Sequence, residues 1–394
     1  MTWPPADDAR GGPLAGVRVL DLSRILAGPF STQVLADLGA DVIKVERGGT
    51  DPVGDDSRHW GPPWAPSGDS SYFYACNRGR RAMLADLRVD ADRDLVLRLV
   101  DDAHVLMENF LPGTMERLGL SDEVLHARNP RLVHAVISGY GHDSSRAAWP
   151  ALDFVVQAHT GVLSVTGPDA ATPTKAGLPI ADLSAGLFAT VGVLAALRRA
   201  EQTGVGGRVE VSLAEACGAL LSNQALNHLI GGATPRAMGN AHPNVAPYQV
   251  VRAADRGIAI AAASDLQFGR LCAVLDSPAL ASDPRFTSNA LRVEHREVLV
   301  AEIERLLGAR TAAEWVVALN EAGVAAAVIN TVPEMFADPD TRAGLLTSVT
   351  DEEGREVPQL RTPIRLDGVP LDPAAAPPGL GRDDAAIRAA LAER

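Results

Sequence analysis

Val17-Arg-Val-Leu-Asp-Leu-Ser-Arg-Ile-Leu-Ala-Gly-Pro-Phe-Ser-Thr-Gln-Val-Leu-Ala-Asp-Leu-Gly-Ala-Asp-Val-Ile-Lys-Val-Glu46 is the stretch that decides the fold. Val17 to Leu22 reads as a short strand, Ala27-Gly-Pro29 leads into a helical pattern ending near Gly39, and Asp41 to Glu46 is a second strand. Two strands joined by a helix of this length form a βαβ unit, which favours a parallel sheet.

Working outward, Met83 to Leu87, His104 to Met107, Leu132 to Ser138 and Arg208 to Ser212 read as further strands, with a helix at Asp90 to Val100. The expected class is therefore α/β, an open parallel sheet whose ligands lie beyond the carboxyl ends of its strands. Arg47, Asn109 to Gly113 and Gly139 to Gly141 fall at such ends. Dinucleotide binding fails its test: no GxGxxG follows the first strand, and Gly204-Val-Gly-Gly207 sits between a helix and a strand. Residues 1 to 12 read as frayed. Residues 47 to 71 are too rich in Gly and Pro for regular structure and read as a mobile, functional loop. Leu213 to Ile230 reads as one long amphipathic run, and Gly231-Gly232 with Pro235 mark a boundary. The expected organisation is a large domain at 1–230, a small one at 231–325, and a segment 326–394 that returns to the large domain; Val324 to Ile329 and the segments beyond show no complete core of their own and are expected on the large domain's surface.

The chain of 394 residues carries a formal charge of −13, which argues against nucleic acid as a partner. No uninterrupted apolar run is long enough for a membrane span, because Arg198 and Arg199 end the run from Leu183. The N-terminus shows no basic segment followed by an apolar one, so a cytoplasmic location is expected. Cys76, Cys217 and Cys272 are far apart, and nothing groups the histidines, so neither a disulfide framework nor a metal site is expected.

Chemistry is expected in Lys175-Ala-Gly-Leu-Pro-Ile-Ala-Asp-Leu-Ser-Ala-Gly186. Asp182 stands at the head of a long apolar helix. It can cap that helix, attack a substrate, or do both. Asp153 opens another helix and caps it by default.

Several segments, taken together and in order, resemble the class III (formyl-CoA transferase-like) coenzyme A transferase family over nearly the whole chain. They are Pro13 to Pro29, Leu38 to Arg47, Met107-Glu-Asn-Phe-Leu-Pro-Gly113 with Arg117-Leu-Gly119, Ile137-Ser-Gly-Tyr-Gly141, Asp153-Phe-Val-Val-Gln157, Ser164-Val-Thr-Gly167 and Ile180 to Gly186. The resemblance implies a Rossmann-like large domain built from both chain ends, a smaller α/β domain between them, and an interlocked homodimer. Asp182 matches the family's catalytic aspartate, and Asp153 matches an acidic position near the family's active site, which makes a part in catalysis as a second acid the alternative to its cap. Coenzyme A falls to Ile25, Leu26 and Ala27, to Arg47, to Asn109 and Phe110, and to Arg117. Arg24, Tyr72 and Leu152 are candidates for the substrate acid. An acyl-CoA and a carboxylic acid are the implied partners, with no permanently bound cofactor and no metal. The segments at 228–231, 239–248 and 289–296 look closest to succinyl-CoA:glutarate-type transferases. Gly239 to Asn244 takes the place of the family's glycine-rich lid, although it lacks a glycine run.

A related racemase branch places a histidine immediately before the acid at position 153, to work with the aspartate at 182 as a pair of bases. Here that residue is Leu152, which cannot move a proton. Transferases usually carry an aromatic there, so Leu152 departs from that pattern too. A non-catalytic coenzyme A-binding protein of the same fold is the other alternative.

Overall fold

The computed structural model describes residues 3–5, 11–49 and 51–392. The fraying expected for residues 1 to 12 falls mostly outside them. Two compact units are present: one of residues 1–162, 176–225 and 339–394, the other of 163–175 and 226–338.

The first unit holds a six-stranded parallel sheet. Its strands are β1 (Arg18–Asp21), β2 (Asp41–Arg47), β3 (Arg81–Ala85), β4 (Val105–Glu108), β5 (Val133–Ser138) and β6 (Gly207–Ser212), in the order β3-β2-β1-β4-β5-β6. That is the doubly wound order, in which the winding reverses between β1 and β4 and opens a crevice at their carboxyl ends. The chain leaves β1 into Leu22–Leu26 and leaves β4 into Asn109–Gly113, so both loops face that crevice.

Three helices position the site. α1 (Ala27–Asp37) follows β1 directly and is buried over most of its length. α2 (Asp153–His159) precedes α3 (Ile180–Thr203), which lies on the sheet through Ala181, Ala185, Ala189, Val193, Ala196 and Ala200. This stripe, repeating every three or four residues, is the buried face of a core helix. At Gly186 a Cβ would stand 2.6 Å from the Ala27 carbonyl oxygen, so α3 approaches α1 this closely only because the position is glycine. α3 is long and apolar enough to cross a bilayer, though half of its most apolar stretch is buried in the protein. Its outer face leaves Leu187, Phe188 and Val191 about half exposed or more, at 50%, 47% and 65%.

Residues 47 to 71 differ from the mobile loop expected of them. Arg58, 2% exposed, reaches Glu46 at 2.6 Å and Asp69 at 3.0 Å, and its guanidinium lies 3.7 Å from the Phe73 ring centroid. Glycine and proline limit regular structure here to a short 3-10 helix, Asp56–His59, and a single bridge between Trp64 and Ser70, and the buried, paired arginine of that helix anchors the segment. The run from Leu213 also differs: it breaks at Leu220-Leu221 into two helices, Leu213–Ala219 and Ser222–Leu229.

The second unit has an antiparallel sheet of β7 (Tyr248–Arg252), β8 (Gly257–Ala261) and β9 (Ala325–Val328). Phe268, Phe286, Leu299, Ile303, Trp315 and Leu319 fill its core. Val324 to Ile329, expected to return to the large domain, instead supplies β9, whose ladder with β8 satisfies a backbone the apolar pattern left without a partner. The chain comes back to the first unit at Pro339. There Ile387 and Leu391 of the C-terminal helix join the core, and Asp383 accepts the Ala82 N–H at 2.8 Å.

Candidate active site

The first turn of α3 decides between the two roles left open for Asp182. Pro179 is the N-cap residue and supplies no side-chain cap, while Asp182 lies inside the first turn. The cap comes from elsewhere: Asp153 Oδ1 accepts the Ala181 N–H at 2.8 Å. Its Oδ2 accepts Gln157 Nε2 at 2.6 Å, and Gln157 Oε1 accepts the Ala176 N–H at 2.9 Å, which ties down the irregular chain leading to Asp182. Asp153 thus caps α3 rather than the helix it opens. The Asp182 carboxyl makes no hydrogen bond or ion pair with any described residue, and burial, followed by the charge of Asp153, pushes its pKa up to about 7.

Asp182 lines a pocket of about 140 Å³ together with Arg24, Ile25, Asn109, Phe110 and Leu152, and also with Leu26 and Ala27. Arg24 and Asp182 are the only charged side chains among its lining residues. The wall formed by residues 24–27 is held in an unusual shape. Ile25 has φ of 72°, a left-handed conformation costly for a β-branched residue. Its N–H points between the two oxygens of Asp55, 3.2 Å from each. Lys44 Nζ meets Asp55 at 2.9 Å and donates to the Ser23 carbonyl at 2.9 Å, with both ionic side chains fully buried. Burial alone would raise the Asp55 carboxyl, but the charge and hydrogen bond of Lys44 and the Ser57 donors bring it down to about 2. Asn109 clasps the same wall: Oδ1 accepts the Arg24 N–H at 2.9 Å and Nδ2 donates to the Arg24 carbonyl at 2.8 Å.

A second pocket of about 320 Å³ opens at the ends of β1, β2 and β3, lined by Leu22, Val45, Arg47, Arg88 and Leu118 among others. Arg24 and Phe110 line both pockets, and the Arg24 guanidinium lies 5.4 Å from the Phe110 ring centroid. Asp56 sits between Arg47, at 2.9 Å, and Arg24, at 3.7 Å. These are partly exposed contacts that an incoming phosphate can replace.

Among the expected site residues, Arg24, Ile25, Leu26, Ala27, Asn109, Phe110, Leu152 and Asp182 surround one pocket, and Arg47 lines the other. Arg117 lines neither; it is exposed and donates to Thr114 Oγ1 at 2.7 Å. Tyr72 lines neither, yet its phenol is pushed upward by burial and then by the charge of Asp182, and its ring packs 5.2 Å from that of Trp60. Sequence reasoning missed Trp149, which lines the Asp182 pocket, and Arg88, which the strand-end rule applied to β3 would have found. The Asp55–Lys44 pair left one trace, a lysine inside an apolar strand. Among the described residues no cluster of His, Cys, Asp and Glu could hold a metal ion.

Comparison with known proteins agrees with this architecture. The family model described as CoA-transferase family III matches residues 14–384. The succinate–glutarate CoA-transferase of Agrobacterium fabrum is 39% identical over 97% of this chain and 96% of its own length. The human succinyl-CoA:glutarate CoA-transferase is 32% identical over 96% of this chain and 86% of its own. A crystal structure of a CAIB/BAIF family protein from Brucella suis superposes with a TM-score of 0.85 at 42% identity, covering 97% of this chain and 100% of that one. With a doubly wound sheet, a carboxyl free in the crevice and relatives matched end to end, the chain belongs to CoA-transferase family III and is a CoA-transferase.

Proposed function

We propose that the protein moves coenzyme A from succinyl-CoA to a small dicarboxylic acid, with Asp182 as the nucleophile. One observation carries this reading: Asp182 is a carboxyl with no hydrogen bond or ion pair among the described residues, lining a pocket in which no other acid or base competes for the substrate. The choice of acids is supported by the relatives, which are named for succinate and glutarate. Arg24, at the junction of the two pockets, suits the second carboxylate of such an acid.

The Asp182 carboxylate attacks the thioester carbonyl and expels the thiolate, leaving a mixed anhydride of succinate and aspartate. The thiolate then attacks the aspartyl carbonyl of the anhydride and releases succinate, which gives an aspartyl-CoA thioester. The acceptor carboxylate attacks that thioester, frees the thiolate again and forms a second anhydride. Attack by the thiolate on the acceptor's carbonyl restores Asp182 and delivers the new acyl-CoA. Each step exchanges one acyl–oxygen or acyl–sulfur bond for another, so no ATP is consumed. The carboxylate is the reactive form, and a group that titrates near 7 supplies it to about half of the molecules at neutral pH.

In this reading the pantetheine arm passes between Arg24 and Phe110, and the nucleotide occupies the larger pocket with Arg47 near its phosphates. The working form is an interlocked homodimer, and the apolar outer face of α3 supports a second copy as its cover.

Borohydride or hydroxylamine trapping after incubation with succinyl-CoA tests the reading. Modification at Asp182, absent from Asp182→Asn, is expected. Exchange of coenzyme A between acids with no label at Asp182 would overturn it, and so would scrambling of an α-methylacyl-CoA without exchange.

A further inference from the structure

Beneath the Asn109–Phe110 loop lies a buried group of ionisable side chains that the chemistry at Asp182 does not use. Glu108, the last residue of β4, is 3% exposed, and its Oε2 accepts the Phe110 N–H at 2.6 Å. Its Oε1 stands 3.9 Å from Nε2 of His134 on the adjacent strand β5. That nitrogen is buried and has no hydrogen-bond partner. The other ring nitrogen, Nδ1, lies 2.5 Å from the Asp122 carboxylate, which accepts only, so Nδ1 carries a hydrogen, and in the neutral tautomer this selects Nε2 is an acceptor. Asp122 is itself paired with Arg208 at 2.5 Å.

A buried acceptor left without a donor is costly, and the Glu108 carboxyl, 3.9 Å away, is placed to relieve it. Two arrangements follow. Ionised, Glu108 offers the Phe110 N–H a charged acceptor, which is about twice as strong as a neutral one. Protonated, it can turn its O–H from Oε1 toward His134 Nε2, and the hold on Phe110 weakens. Phe110 lines both pockets and carries the Arg24 guanidinium, so its backbone position sets the passage between them.

We propose that Glu108 is a positioning residue for coenzyme A, holding Phe110 in place as a carboxylate and releasing it when its proton bridges to His134. This rests on the reading that coenzyme A runs past Phe110. The exchange falls in the neutral range, because burial pushes the Glu108 carboxyl up to about 7, with Glu116 and Asp122 adding to the rise and the Phe110 N–H and Arg208 opposing it. Acyl-CoA is therefore held best above neutrality.

The test is KM for succinyl-CoA between pH 6 and pH 8 in the wild type, Glu108→Gln and Phe110→Ala, with thermal melting as a check on folding. In the wild type KM rises about threefold or more as the pH falls. In Glu108→Gln, whose amide is a neutral acceptor at every pH, KM stays at the wild type's acid value throughout, while kcat keeps its own pH dependence. A Glu108→Gln KM that follows the wild type overturns the inference. Phe110→Ala separates the two ideas: no rise in its KM sinks the coenzyme A placement, whereas a rise beside a wild-type-like Glu108→Gln sinks only the role of Glu108. Calorimetry of free coenzyme A binding to the wild type in buffers of different ionisation enthalpy gives an independent reading. Proton release on binding below pH 7 is expected, and binding without it overturns the proposal.

Discussion

Asp153 accepts the Ala181 N–H at 2.8 Å, and so caps the helix in which Asp182 occupies the first turn. One aspartate does the structural work and leaves the other without a hydrogen bond. The arrangement also places two negative groups near each other, which is part of why Asp182 holds its proton up to about 7.

Replacing Asp153 separates cap from charge. Asp153→Asn keeps an oxygen acceptor for Ala181 but removes the negative group, so the acid limb of kcat/KM moves to lower pH with little change in stability. Asp153→Ala also loses the cap and costs about 1 kcal/mol in denaturant unfolding. An acid limb that moves to higher pH in the Asn variant would show that the charge of Asp153 is not what raises Asp182.

For Asp182 itself, kcat/KM rises with pH and levels off above about 7. Asp182→Asn abolishes turnover, by on the order of 10³-fold or more. Stability moves the other way. The folded protein holds the Asp182 proton more tightly than the unfolded chain, so that contribution is complete below the ordinary aspartate value of 3.8 and is lost as the pH rises through about 7. Asn does not titrate, and Asp182→Asn therefore gains stability over the wild type between pH 5 and pH 8, on the order of 1–4 kcal/mol. Urea unfolding at those two pH values measures it; an equal difference at both is the contrary result.

The Asp55–Lys44 pair supports the Ile25 turn. Asp55→Ala strands a fully buried Lys44 and costs about 3–5 kcal/mol. The folded pKa of Asp55 is depressed, so its stabilisation is present above the ordinary aspartate value of 3.8 and fades as the pH falls through about 2. Ile25→Gly relieves a left-handed strain of about 1–3 kcal/mol and is the milder change. Calorimetric melting of the two variants should rank them in that order, and a larger loss in Ile25→Gly would contradict the role given to the pair.

Phe188→Asp places a charge in the middle of the apolar outer face of α3, where Phe188 is 47% exposed. Sedimentation should show the wild type as a dimer and the variant shifted to monomer with the sheet intact. A variant that keeps the wild-type mass would move the expected interface elsewhere.

Much of the sheet was legible because its strands are short apolar runs closed by Gly, Pro and Asn, and the period of such runs survives without knowledge of their neighbours. The loops that line the two pockets were legible for a related reason: in an open parallel sheet the ends of the strands are where ligands bind, and Arg47 and Asn109 stand there. In residues 47 to 71 composition reported the scarcity of regular structure but not the anchor at Arg58, whose partners Glu46 and Asp69 stand 12 and 11 residues away. β9 was misread because a four-residue strand has too few positions to show its face.

The order of residues by itself determined the α/β class, the family and the identity of Asp182 as the candidate nucleophile. All three rest on local patterns and on motifs that occur in a set order along the chain. Only the tertiary structure decided what Asp182 is free to do. Its cap arrives from Asp153, 29 positions away, and its pKa is set by burial and by that same residue. Desolvation and charge act through space, and the distances they depend on exist only once the chain has folded.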